Sequence, residues 1–338
     1  PPPPPPPPPL FLMIRRRPRS TPLSSSSASD VYKRQPYVFI MTKKFLSIYF
    51  FVLIAYSQSS YQGLDTWVQA NAISLSGSGY LIPFRNDFRN AAMLVDSNRF
   101  FSVDVVSYPA GISGQSLRVN SKINQHFLGF KISRTGYGLF QERNLDNQKT
   151  GEYSASDVHF EIGYGKATES GKIIIGANTG LFISNIQEYN AKAITFSPAV
   201  IINLRLLKLG LSFHNYGELY NSYSNNNENL PTARVFSISG DLPNTDLKLE
   251  VDHILLSQLN RNIIRITGFL KLNNGLIVKS GLSSNRFDQK TGSSIYKNIF
   301  SDLGLGIAYG TDDLIIDLGT YSYGPGGHII GFGISSKF

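Results

Sequence analysis

From about residue 99 to the end, the chain alternates apolar residues with polar or small ones, segment after segment. Over 207–215, Leu207, Leu209, Leu211 and Phe213 alternate with Lys208, Gly210, Ser212 and His214. Over 246–255, Leu247, Leu249 and Val251 alternate with Lys248, Glu250 and Asp252. Over 303–309, Leu303, Leu305, Ile307 and Tyr309 alternate with Gly304, Gly306 and Ala308. A period of two puts successive side chains on opposite faces of a strand, so each segment has one apolar and one polar or small face. About fourteen such segments are expected: 99–108, 114–123, 127–134, 152–164, 171–184, 192–204, 207–217, 233–241, 245–255, 262–272, 275–284, 298–309, 312–321 and 327–337. After residue 60 no apolar run approaches the length of a membrane-spanning helix, whereas most of these segments are long enough to cross a bilayer as tilted strands. Strands in lipid cannot leave a backbone edge unpaired. The reading is all-β: a transmembrane antiparallel up-and-down β-barrel over 99–338, in the outer membrane.

The links test this reading independently. With both termini in the periplasm, links after even strands should be short and those after odd strands can be long. The short pairs Arg205-Leu206, Asn273-Asn274 and Gly310-Thr311 follow even strands. The three longest links, 135–151, 218–232 and 285–297, follow strands three, seven and eleven. In the last strand Ile330, Phe332 and Ile334 share a face with the terminal Phe338. An aromatic-ended last strand of this kind resembles the signal read by barrel-assembly machinery, an expected partner alongside outer-membrane lipid.

Ahead of the barrel the pattern fails. Residues 1–35 open with nine prolines, have no apolar periodicity and resemble translated sequencing adapter; a polyproline II arm is the alternative. Residues 1–40 are therefore set apart as a non-native or disordered leader. Met41, Lys43, Lys44 and the apolar run 45–56, closed by Ser57-Gln58-Ser59, have the layout of a signal peptide over 41–59 that directs export to the periplasm. Residues 60–98 are read as a periplasmic or plug-like segment, with 64–89 the candidate plug.

Charge changes meaning once these parts are removed. The chain carries 32 Lys+Arg against 23 Asp+Glu, a formal +9. Residues 1–35 hold six of the bases and one acid, and the signal two more lysines, leaving 24 bases against 22 acids. A net of +2 gives nucleic-acid binding no support. There is no cysteine, which excludes disulfides, thiolate metal sites and cysteine catalysis. Residues expected on the lumen face are mixed in sign: Lys131, Asp157, Glu161, Lys208, Lys248, Glu250, Asp252, Arg265, Lys279, Asp302 and Asp317. None of the five histidines belongs to a metal-spaced motif. Asp157 and His159 share a face; membrane-embedded proteases and lipases use such residues at the external rim with a nucleophile or a partner acid, and no catalytic residue, metal or cofactor is assigned here. Gly304 and Gly306 face the lumen and Gly324–Gly327 make a turn, so neither group is a phosphate cradle. The 18 tyrosines and 22 phenylalanines suggest girdles at the membrane interfaces.

Several short stretches resemble known families. Residues 77–96 resemble the part of FadL-like barrels in which an Asn-Pro-Ala motif leads to the first strand; here it reads Asn90-Ala91-Ala92, without the proline. Tyr137-Gly138, followed by Gly151, Ser154 and Asp157 in GEYSASD, resembles a stretch of the PorV/PorQ group, as do Leu230-Pro231 and the final hairpin over 312–338. The resemblance covers roughly 75–338 and implies a fourteen-stranded FadL-like barrel. PorV/PorQ membership implies a part in type IX protein secretion or surface attachment of cargo, with secretion components and cargo as partners. FadL membership implies instead passage of hydrophobic small molecules through a plugged barrel with a lateral opening, for which a kinked strand holding Pro198 is the candidate.

Overall fold

Each alternating segment folds as a strand. The first half of the chain supplies β1 (Phe100–Ser107), β2 (Ser113–Ile123), β3 (His126–Arg143), β4 (Lys149–Ala167), β5 (Ile173–Ile186), β6 (Tyr189–Asn203), β7 (Leu207–His214) and β8 (Tyr216–Asn221). The second half supplies β9 (Ala233–Asp241), β10 (Leu247–Leu256), β11 (Arg261–Lys271), β12 (Leu276–Ser283), β13 (Leu303–Gly310), β14 (Leu314–Ser322) and β15 (His328–Lys337). This computed structural model describes residues 61–82, 88–96, 99–144, 146–223, 228–257, 260–287, 300–311 and 313–338. The expected leader and signal peptide lie outside the described residues.

All neighbours pair antiparallel, and β1 closes onto β15 from Phe100↔Lys337 to Ser107↔Ile330. β7 and β8 are two parts of one stave, so the closed barrel has fourteen staves. Alternation divides the two faces. On β1, Phe101, Val103 and Val105 point outward and are exposed, while Ser102, Asp104 and Val106 point inward and are buried. Phe130, Ile162, Ile266, Ile307, Ile330 and Phe332 extend the outward apolar surface around the barrel. So wide an apolar surface would be untenable in water and is suited to lipid. Among the described residues no helix is long and apolar enough to cross a membrane; the spans are strands.

The links depart from expectation in one place. Two of the three links expected to be longest are long, at 222–232 and 284–302. The third, expected over 135–151, shrinks to 144–148, because β3 and β4 continue as a paired hairpin beyond the barrel wall. A register shift between Gly136 and Leu139 marks where the hairpin leaves the regular ladder. Past it, Leu139, Gln141, Glu142 and Arg143 are all exposed, so the inward–outward alternation that defines a membrane strand no longer holds there.

Residues 61–82 and 88–96 run against the inward faces of the strands. A short helix α1 (Ala70–Ser74) packs on β12–β15 and β1, and a 3-10 turn over Ala91–Asp96 packs on β3–β6. Room for α1 comes from inward glycines. A Cβ added at Gly281, Gly304, Gly306, Gly319 or Gly331 would come closer than 3.0 Å to atoms of residues 70–76. Such a segment has no ladder to satisfy its backbone, and buried N–H groups need acceptors. Inward carboxylates supply them: Ala70 N–H donates to Asp104 (3.1 Å), Leu81 N–H to Glu250 (3.0 Å) and Gly63 N–H to Asp157 (3.0 Å).

Candidate functional site

All eleven residues expected on the lumen face point inward or lie within the barrel, and most are paired. Lys131 meets Glu161 directly across the β3–β4 ladder. Arg118 meets Asp104 at 2.7 Å. Lys279 reaches past Gly306 on β13 to Asp317 on β14 at 2.6 Å; Gly306 has no side chain to obstruct it. Asp252 accepts the hydroxyls of Ser78 and Ser237. These contacts join strand to strand and wall to N-terminal segment.

Above the segment, toward the end opposite the chain termini, lies a cavity of about 470 Å³, within the range of small-molecule sites. One side is aromatic: Trp67, Tyr108, Tyr321 and Tyr323. Trp67 meets Tyr321 edge-on at 5.1 Å, and Tyr321 meets Tyr323 in the same manner at 5.1 Å. The Tyr108 hydroxyl donates to the Trp67 carbonyl at 2.7 Å, fixing that backbone, and burial raises its phenol above the ordinary range. Several tyrosines therefore line the interior, where interfacial girdles alone were expected. Asp65, also on the lining, is open to cavity water yet enclosed by protein. Desolvation pushes its carboxyl up to about 7, with the Arg265 guanidinium pulling the other way.

Two guanidiniums meet at the cavity floor. Arg265 Nη1 and Arg89 Nη2 both donate to the Gly77 carbonyl, and Arg89 donates also to the Tyr80 hydroxyl at 3.1 Å. Arg265 lies 5.1 Å from the Trp67 ring centre and Arg89 4.6 Å from that of Tyr80, both in cation–π range.

The cavity also reaches a break in the wall. His214, Asn215 and Ala233 line it, and these residues mark where stave seven stops pairing with β9. The sequence suggested one strand over 207–217; the structure divides it at Asn215, whose φ of 58° is left-handed. Below Asn215, β7 pairs with both β6 and β9; above it, β8 pairs with β6 alone. Opposite lies Pro198, which has no N–H to donate, and Asn215 N–H bonds instead to Ser197 Oγ at 3.1 Å. Asn215 Nδ2 donates to the Pro231 carbonyl at 3.1 Å, and Arg234 Nε to Tyr216 Oη at 2.9 Å. Side chains rather than a ladder bridge the two edges.

The motif residues separate into three places. Asn90 is buried and caps its own turn, accepting from Ala92 N–H at 3.1 Å; Ala91 and Ala92 press on Gly176 near the termini end. At the opposite end Tyr137 donates to Asp157 at 2.6 Å, Gly138 takes a φ of 88° at the register shift, and Gly151 and Ser154 face Glu142 and Leu139 across the hairpin. Ile330, Phe332 and Ile334 point outward, and Phe338 is exposed. His159 pairs with Thr195 Oγ1 at 2.9 Å and lies 3.5 Å from Glu161, whereas Asp157 binds Tyr137, Ser184 and Gly63. The two thus engage separate partners, and among the described residues they do not form a catalytic dyad. Among the described residues no three His, Cys, Asp or Glu side chains are grouped to hold a metal.

No family model and no curated protein matches this sequence. Solved structures do. The P. putida toluene transporter TodX superposes with a TM-score of 0.52 at 11% identity, covering 81% of this chain and 99% of that one. A P. aeruginosa FadL homologue gives 0.50 at 9% identity, over 80% and 98%. The deltaS2 mutant of the TodX monoaromatic hydrocarbon channel gives 0.52 at 12%, over 80% and 98%. At these identities the likeness is one of fold: a closed antiparallel β-barrel like those of TodX and the FadL homologue. The protein is an outer-membrane barrel.

Proposed function

We propose that this barrel passes hydrophobic small molecules across the outer membrane. Solute enters at the end carrying the long links, rests in the aromatic cavity and leaves sideways where stave seven parts from β9. The observation that carries this reading is that the cavity's own lining includes His214, Asn215 and Ala233, the residues at which the wall loses its ladder. A lateral route spares an apolar solute the aqueous periplasm and the segment packed below. A neighbour in fold, the toluene transporter and monoaromatic hydrocarbon channel TodX, favours it. Because the chain has no cysteine, thiols placed at Tyr216 and Arg234 offer a specific test. Bridging them with a short bis-maleimide should abolish uptake of a radiolabelled monoaromatic hydrocarbon by expressing cells, and an uncross-linked control should retain it. Full uptake through the bridged barrel would refute the lateral route; no uptake above a gene-deletion strain would refute transport.

The secretion reading remains a competing proposal, supported by one observation. Tyr137, Gly138 and Asp157, which carry the PorV/PorQ resemblance, gather at the base of the projecting β3–β4 hairpin. It requires that deleting the gene alter the surface proteome while leaving hydrocarbon uptake intact.

A further inference from the structure

We propose that the cavity selects organic anions with an aromatic body, the negative group docking on the Arg89–Arg265 pair. This rests on the transport reading and names the substrate class for the same cavity. Arg265 is only 8% exposed, and its one hydrogen bond runs to a neutral carbonyl, Gly77 O. Its Nε has no partner, and it forms no ion pair with a carboxylate among the described residues. A buried guanidinium without a directly bonded carboxylate is costly, because the longer-range attraction of Asp252 and Asp65 offsets its desolvation only in part. The carboxylates around it are engaged elsewhere or set apart. Asp252 accepts from Ser78 and Ser237, Asp302 from Tyr321, and Glu161 holds Lys131. Asp65 is the remaining acid on the cavity wall among the described residues, and its carboxyl, pushed up to about 7, is largely uncharged in mildly acidic solution.

Geometry supplies the rest of the site. Arg89 approaches the same carbonyl oxygen, so two guanidiniums converge on Gly77 O at the cavity floor. Planar guanidinium forks suit a carboxylate, which they bind through paired N–H donors. Trp67 lies beside Arg265, with Tyr321 and Tyr323 continuing the aromatic side. A carboxylate on an aromatic ring would place its charge at the arginines and its ring among these faces, whereas a neutral hydrocarbon would leave Arg265 without a directly bonded anion.

The chain carries its own reporter, since Trp67 is its only tryptophan. The full barrel in detergent is titrated at about pH 6 with 4-nitrobenzoate and with neutral 4-nitrobenzamide, reading quenching of Trp67 and, in parallel, calorimetry. The anion should bind at least about tenfold tighter than the amide, the scale of one charge-assisted hydrogen bond. Arg265→Gln should erase that preference, read as the ratio of the two affinities, and Arg265→Lys should keep part of it. The wild-type comparison stands even if a variant fails to fold. Equal binding of the two probes, or binding of the amide alone, overturns the inference and leaves the transport reading in place. Binding of neither shows that the cavity takes no such solute, and both readings then fail.

Discussion

Two sectors of the same barrel treat their interiors in opposite ways. Around β12–β15 and β1, inward glycines let the backbone of α1 approach closely, and Asp104, Asp317, Lys279 and Arg118 connect wall to wall and wall to segment. Around β6–β9 the cavity reaches the wall, the ladder is interrupted, and single side-chain bonds at Asn215 and Arg234 span the gap. The first sector is overdetermined: its buried charges are paired, Arg118 with Asp104 and Lys279 with Asp317, and small residues set the spacing. The second is held by few contacts and has room to open. Rigidity in one sector lets the other yield without loss of the barrel, which is how a scaffold supports a site that must move.

Substitutions should expose this contrast, the largest effect first. Asp104→Ala removes the carboxylate that pairs with the buried Arg118 and leaves the Ala70 N–H without its acceptor. It should cost about 3–5 kcal/mol, read as the urea midpoint of the vesicle-embedded barrel. Gly306→Val places a side chain against Ser74 and in the path of Lys279. A loss of about 1–3 kcal/mol is expected, together with protease access to residues 61–82; an unchanged digestion pattern would contradict the glycine bed. At the break, Gly217→Ala sets a Cβ against the Ile194 carbonyl. It should release β8 from β6, seen as faster amide exchange over 216–221, while the urea midpoint moves by less than about 0.5 kcal/mol. The smallest effect concerns Asp65. Its carboxyl holds a proton below about 7, so Trp67 emission should titrate with a midpoint near there as the negative charge appears beside Arg265. Asp65→Asn should flatten that curve. Because the folded-state value is raised, any stability linked to this proton is present at low pH and lost as pH rises through 7.

The barrel was largely legible because its chief signal is local. The period-two pattern placed fourteen strands within a few residues of where they lie, apart from the lengthened β3–β4 hairpin and a late start to β13. It put Asp157, Glu161, Lys279 and Asp317 on the correct face without knowledge of their partners. The break at Asn215 also left a trace: Leu211 and Phe213 point outward, then Tyr216 and Tyr220 take over one step out of phase. A single polar residue between them is too faint a mark to divide a strand in advance. The cavity was not legible. Arg265 and Gly77 lie 188 positions apart, as Leu81 and Glu250 lie 169 apart, and nothing in the pattern near either links them. The tyrosines were assigned to the membrane surface because composition alone cannot tell an inward ring from an interfacial one. Tyr108, Tyr321 and Tyr323 take their meaning from staves that meet only when β1 closes onto β15.

That closure bears on biogenesis. The residues that fill the lumen precede the first stave, and the last stave made is the one that seals against it. Every bond from Ala70, Ser76 or Leu81 to the wall is enclosed once Phe100 pairs with Lys337. The N-terminal stretch must therefore be lodged before the seam zips shut or be threaded in through an open mouth. In the first order of events, the inward glycines and carboxylates serve as a mould on which the closing cylinder is wrapped.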